Sequence, residues 1–171
     1  MNQVFVKCGR FFRHSWFVKL WFLPVWLGLG VSKFLIFSLS FKRLVPMLGQ
    51  SVGVAPWIPL TNLHQVARGR QISAVVQMAA RYTPWNSNCF PQAIVARCLL
   101  GLYGLPYCLF FGVRRNSKTG AFDAHAWVVS GRVKVTGGYS FRTYTVVGVL
   151  ASPALASLVT QDCSCRSPQK K

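Results

Sequence analysis

A thiol does covalent chemistry when it can ionise and when a base stands beside it. Cys89 and His125 are the residues whose settings fit those two needs. Cys89 follows Asn88, a good helix N-cap. It precedes Pro91, which costs nothing in a first helical turn because its missing N–H would lack a partner there. A helix start offers unpaired N–H groups and the positive end of a dipole, which favour a thiolate and can hold the oxyanion of a tetrahedral intermediate. Ala93, Ala96 and Leu100 are spaced for burial below Cys89, so the thiol is expected at the buried, sheet-facing end of its helix. Of the three His, His14 lies in a basic N-terminal segment and His64 in a linker. Only His125, within Asp123-Ala124-His125-Ala126-Trp127, lies in a strand pattern. A helix-start Cys alone reads equally as a buried structural thiol, and a strand His alone as a core His. It is the pairing that points to nucleophilic catalysis.

The elements that must hold this pair follow from periodicity. Residues 1–50 form an apolar, aromatic and basic segment, 51–155 the domain that carries the pair, and 156–171 a basic tail. Leu20 to Phe41 has one charge, Lys33, and is long enough to span a bilayer. Pro24, Gly28, Gly30 and Lys33 argue against a simple span. They predict two shorter helices, one before Pro24 and one over 31–44, packed on the domain or lying on a membrane surface. Gly49, Gly53, Pro56 and Pro59 mark 49–65 as a linker. A helix is expected over 66–82, with Ile72, Val75, Val76, Ala79 and Ala80 on one buried face, and the Cys89 helix runs to about Gly101. Strands are then expected over 107–113, 122–129, 132–135 and 143–150, with 122–135 a hairpin around Ser130-Gly131. Helices first and strands second predict an α+β fold with an antiparallel sheet.

Composition removes several functions. There are 20 Lys and Arg against two acids, Asp123 and Asp162. Two-carboxylate glycosidase chemistry and a Mg²⁺ or Ca²⁺ cage are disfavoured. The six Cys (8, 89, 98, 108, 163 and 165) form no paired CxxC and so no convincing zinc site, and no phosphate-cradling Gly loop is present. No metal or cofactor is expected. A net charge of +18 favours an acidic partner such as a peptide or a membrane surface. Scattered basic residues without a groove-reading motif speak against nucleic acid. Basic residues before an apolar run, without a small-residue cleavage site, predict a cytoplasmic protein with reduced thiols, with the inner face of the membrane as a further location.

The segment Pro84-Trp85-Asn86-Ser87-Asn88-Cys89-Phe90-Pro91-Gln92-Ala93 is followed by Leu99-Leu100, Gly104-Leu105-Pro106, Phe111-Gly112-Val113 and Ala124-His125-Ala126-Trp127-Val128. As a set these resemble the stand-alone leader peptidases of lasso-peptide biosynthesis, within the transglutaminase-like cysteine peptidase superfamily. The opening segment ending in Arg43-Leu44-Val45-Pro46-Met47-Leu48-Gly49 is also similar to that family's. The resemblance implies a transglutaminase-like (papain-like) core preceded by hydrophobic helices. It implies a cysteine endopeptidase that cuts leader from core in a lasso-peptide precursor, with Cys89 as nucleophile and His125 as base. It also implies two partners in trans: a separate leader-recognition domain, and an ATP-dependent cyclase that takes the product.

The departure from that family lies in the third residue, usually an Asp on the strand after the His. If Val129 faces Arg132 and Val128 faces Val133, His125 faces Thr136. Asp123, two residues before His125 and on the same strand face, is the favoured orienting group, with Thr136 its rival and a backbone carbonyl or water as further options. Gln92 is expected to be a surface amide. Acyl transfer on the same fold, and a basic membrane-surface protein without catalysis, are the competing functions.

Overall fold

In a computed structural model of the chain, residues 15–54, 58–117, 120–138 and 143–156 are described. Expectations placed on Cys8, His14, Asp162, Cys163, Cys165 and nearly all of the tail lie outside them. The elements are α1 (Trp16–Ser38), α2 (Phe41–Leu48), β1 (Gln50–Ser51), α3 (Leu63–Arg81), α4 (Cys89–Leu102), β2 (Cys108–Arg115), β3 (Phe122–Ser130), β4 (Val133–Lys134) and β5 (Thr145–Ala151). The strands form one antiparallel sheet in the order β1-β5-β2-β3-β4. The fold is α+β, as the order of periods predicted.

Helix α3 starts on a capping box: Asn62 Oδ1 accepts from the Gln65 N–H at 2.9 Å, and Gln65 Oε1 accepts from the Asn62 N–H at 3.0 Å. Its Ile72, Val75, Val76 and Ala79 are fully buried. Helix α4 buries Ala93, Ala96 and Leu100 in the same cluster, against Leu109, Ala126, Val128 and Leu150 of the sheet. The other sheet face carries a second cluster of Cys108, Phe110, Trp127, Val149 and Ala151, closed by Ala156 of the turn after β5.

Three expectations change. Pro24 does not split the N-terminal helix; it sits inside α1, and α2 begins at Phe41. An internal proline costs about 3 kcal/mol. Here it lies on the exposed side of α1, while Val18, Val25 and Leu29 of the opposite side are buried and hold both halves on the domain. α1 is long and apolar enough to cross a membrane by length and composition alone. The linker hides β1, which is too short for a period. Gly49 precedes it, where a Cβ would stand 2.6 Å from the Ala151 carbonyl oxygen.

The third change is register. Val129 pairs with Lys134 and Ser130 with Val133, so the loop residues of the hairpin are Gly131-Arg132 rather than Ser130-Gly131. Gly131, at φ +55°, stands first in that loop, as a II′-type turn requires. After β4 the chain is held to β3 differently. The Thr136 Oγ1 accepts from the Val128 N–H at 3.2 Å, in place of a ladder carbonyl.

Candidate active site

Cys89 is the first residue of α4, half-buried against the helix-side cluster. Asn88 occupies the N-cap position but makes no side-chain cap bond. Pro91 has no N–H, and the Gln92 N–H reaches the Asn88 carbonyl at 3.4 Å. The N–H groups of Cys89 and Phe90 are therefore the uncommitted donors of this helix start among the described residues.

The loop before Cys89 is fastened from several sides. Thr83 Oγ1 lies 2.9 Å from the Ala80 and Trp85 carbonyls and 2.9 Å from the Ser87 hydroxyl. With the Thr83 proton on either carbonyl, Ser87 donates to Thr83. Gln92, expected at the surface, is half-buried and donates from Nε2 to the Ser87 carbonyl at 2.7 Å. From α1, the Trp26 indole N–H donates to the Tyr82 carbonyl at 3.1 Å, and its ring meets Trp85 at 5.1 Å. Trp85 Nε1 is buried with no acceptor among the described residues, so packing alone fixes that ring.

His125 stands in β3 opposite Gly112 of β2. Its ring stacks on Tyr144, at 4.9 Å, and on Trp127, at 5.8 Å, and Trp127 in turn stacks on Phe110 at 5.5 Å. Gly112 makes this closure possible, because a Cβ there would come within 2.9 Å of the Trp127 ring and of Tyr144 Cβ.

The His125 Nε2 lies 3.0 Å from the Gly137 carbonyl oxygen. A carbonyl only accepts, so Nε2 carries the proton and the neutral ring keeps its lone pair on Nδ1. Neither side chain proposed for this orienting position is there. Asp123 pairs instead with Arg114, its cross-strand neighbour, at 3.1 Å, and Asn116 Nδ2 donates to the same oxygen at 3.4 Å. The Arg114 guanidinium lies over Tyr144 at 4.8 Å, the ring that stacks on His125. Thr136 is buried and occupied with Val128. The two-residue change in register removes it from His125. The chain turn that presents the carbonyl needs Gly137, at φ +89°, where a Cβ would sit 2.3 Å from Trp127 Cβ. Gly137-Gly138 is the one sequence signal that could have marked this turn.

Cys89 and His125 both line two adjoining cavities. One, of about 390 Å³, is of mixed polarity and is lined by Gln92, Ser87 and Gly137 among others. The other, of about 410 Å³, is almost wholly apolar and is walled by Phe41, Phe90 and Phe111, whose rings meet pairwise at 5.4 to 6.0 Å. Sequence periodicity did not place Phe41 here, since it closes the gap from the N-terminal segment. Cys98 is exposed, and Cys108 is buried, its thiol pushed up to about 11 by burial. Among the described residues no three His, Cys, Asp or Glu side chains gather into a set that could hold a metal ion.

Comparison with known proteins gives one match. The family model described as the transglutaminase-like superfamily covers residues 35–149, from the end of α1 into β5. Neither the curated proteins nor the solved structures give a significant match. A match over more than half the chain, on an α+β fold with an antiparallel sheet, settles the family: the chain belongs to the transglutaminase-like superfamily, in which cysteine peptidase and acyltransferase activities are common.

Proposed function

We propose that the chain is a cysteine endopeptidase that removes the leader from a ribosomally made lasso-peptide precursor. The observation that carries the catalytic reading is that Cys89 and His125 line the same two cavities, with Nε2 held by the Gly137 carbonyl. In this reading His125 Nδ1 takes the thiol proton, and the Cys89 sulfur attacks the scissile carbonyl. The oxyanion lies against the N–H groups of Cys89 and Phe90. The protonated imidazole then gives its proton to the leaving amine. Water, activated by the same nitrogen, hydrolyses the thioester. The apolar cavity receives a side chain of the precursor and the mixed one its backbone.

The lasso-peptide assignment rests on the sequence set around Cys89 and His125 quoted above, not on the fold. A leader-recognition domain in trans and an ATP-dependent cyclase downstream belong to the same proposal, as does a reaction without cofactor. Incubate a lasso precursor with the chain and a leader-recognition domain, and follow cleavage by mass. Cys89→Ala and His125→Ala should each reduce it by several orders of magnitude, and not additively, because nucleophile and base act as a unit. Near wild-type cleavage by Cys89→Ala overturns the nucleophile assignment. Transfer of the acyl group to an added amine in preference to water would make the chain an acyltransferase instead.

A further inference from the structure

Helix α1 is apolar on two opposite sides. Val18, Val25 and Leu29 face the core and are buried. On the other side Trp16, Leu20, Leu23, Leu27, Val31 and Phe34 are between 53% and 83% exposed. At about 100° per residue these six fall within a stripe about 80° wide, and from first to last they run about 27 Å along the helix. Single exposed apolar residues are ordinary, but a continuous stripe of this length marks a covered surface.

We infer that this stripe docks on an anionic lipid surface, with α1 lying in the plane of the membrane interface rather than across it. Charge selects the occupant. The chain carries +18 with two acids in all, and Lys19 and Lys33 lie on α1 itself, with Lys42 and Arg43 exposed just beyond it. An anionic bilayer supplies phosphates for these cations and an acyl boundary for the stripe. A second copy would bring another +18 against the first. A spanning helix would strip Val18, Val25 and Leu29 out of the core. It would also break the bond from the Trp21 indole to the Tyr103 hydroxyl, at 2.7 Å, and that from Trp26 to the Tyr82 carbonyl. The inference does not depend on what Cys89 does, and its readout is binding, not cleavage.

The test is co-sedimentation of the full chain with vesicles of phosphatidylcholine alone, or with about a third phosphatidylglycerol. A variant combining Leu20→Gln, Leu23→Gln and Leu27→Gln removes the stripe at exposed positions, so the fold should survive, as circular dichroism will show. Wild type should sediment with the anionic vesicles and be released by high salt. The variant should partition at least about tenfold less. Four outcomes overturn the inference. The first is failure of wild type to bind anionic vesicles, and the second is equal binding by the variant, leaving charge alone as the cause. The third is resistance of wild type to both salt and an alkaline wash, which means insertion across the bilayer. The fourth is a wild-type dimer that the variant dissolves, which gives the stripe to a second copy.

Discussion

The Gly137 carbonyl meets His125 Nε2 at 3.0 Å, and it does so from a glycine whose φ of +89° no ordinary side chain adopts comfortably. The imidazole is held by backbone, while the nearest acid, Asp123, is paired with Arg114.

Three substitutions separate these roles when precursor cleavage and unfolding are measured together. Asp123→Asn should change the rate by less than about twofold, because it loosens only a partly exposed ion pair of small worth. Thr136→Val should leave the rate per folded molecule intact but cost about 1–3 kcal/mol of stability, since it orphans the buried Val128 N–H. Gly137→Ala should lower the rate of the order of a hundredfold, the scale of a misplaced catalytic group. Greater loss of activity in Asp123→Asn than in Gly137→Ala would return the orienting role to the carboxylate.

Gly112→Ala tests the ring stacking around His125. The new methyl must displace the Trp127 ring or Tyr144, which it would approach within 2.9 Å. Turnover should fall with little change in the precursor concentration needed for half-saturation, because the imidazole moves while the apolar cavity persists. The readout is kcat against KM; a pure rise in KM would place the damage in substrate binding.

The thiols should be told apart by pH. Cys89 should be alkylated faster than Cys98 or Cys108 at neutral pH, and that lead should shrink in His125→Ala. Burial keeps Cys108 protonated up to about 11, against an ordinary 9.0. Below pH 9 its thiol is protonated folded and unfolded alike. From pH 9 to about 11 only the unfolded chain ionises there, so stability falls across that window, by about 2–3 kcal/mol from this group. Urea unfolding at pH 8 and pH 10.5 should show a smaller loss in Cys108→Ala than in wild type.

Cleavage should be slow for the chain alone and rise on adding a leader-recognition domain. That rise should weaken from low salt to several hundred millimolar, as exposed charges are screened beyond about 10 Å at 0.1 M. Initial rates with and without the domain at two salt concentrations decide it. Full activity alone removes the requirement, and a salt-independent gain removes charge as its cause.

Much of the arrangement was legible in the residues. The i, i+3, i+4 pattern of Ile72, Val75 and Val76 fixed the face of α3, and Asn88 with Pro91 fixed the start of α4 within a residue. The shift from helical to strand periods gave the α+β class. What was missed depends on contacts that no local pattern encodes. Pro24 stays in a helix because buried neighbours on its far side outweigh its cost. The hairpin register turned on which two residues sit in the loop, Gly131-Arg132 or Ser130-Gly131, and that choice decided what faces His125. The orienting group was illegible as a side chain because it is not one.

Gly30 sits where α1 presses on the ring of Trp85, and a methyl there would stand 3.1 Å from that ring. The loop that delivers Cys89 thus rests on a residue far away in sequence that touches neither nucleophile nor base. A genetic screen for loss of processing would return alleles at position 30 among soluble, folded proteins. Suppressors of those alleles should map to smaller rings at position 85, not to the reacting residues.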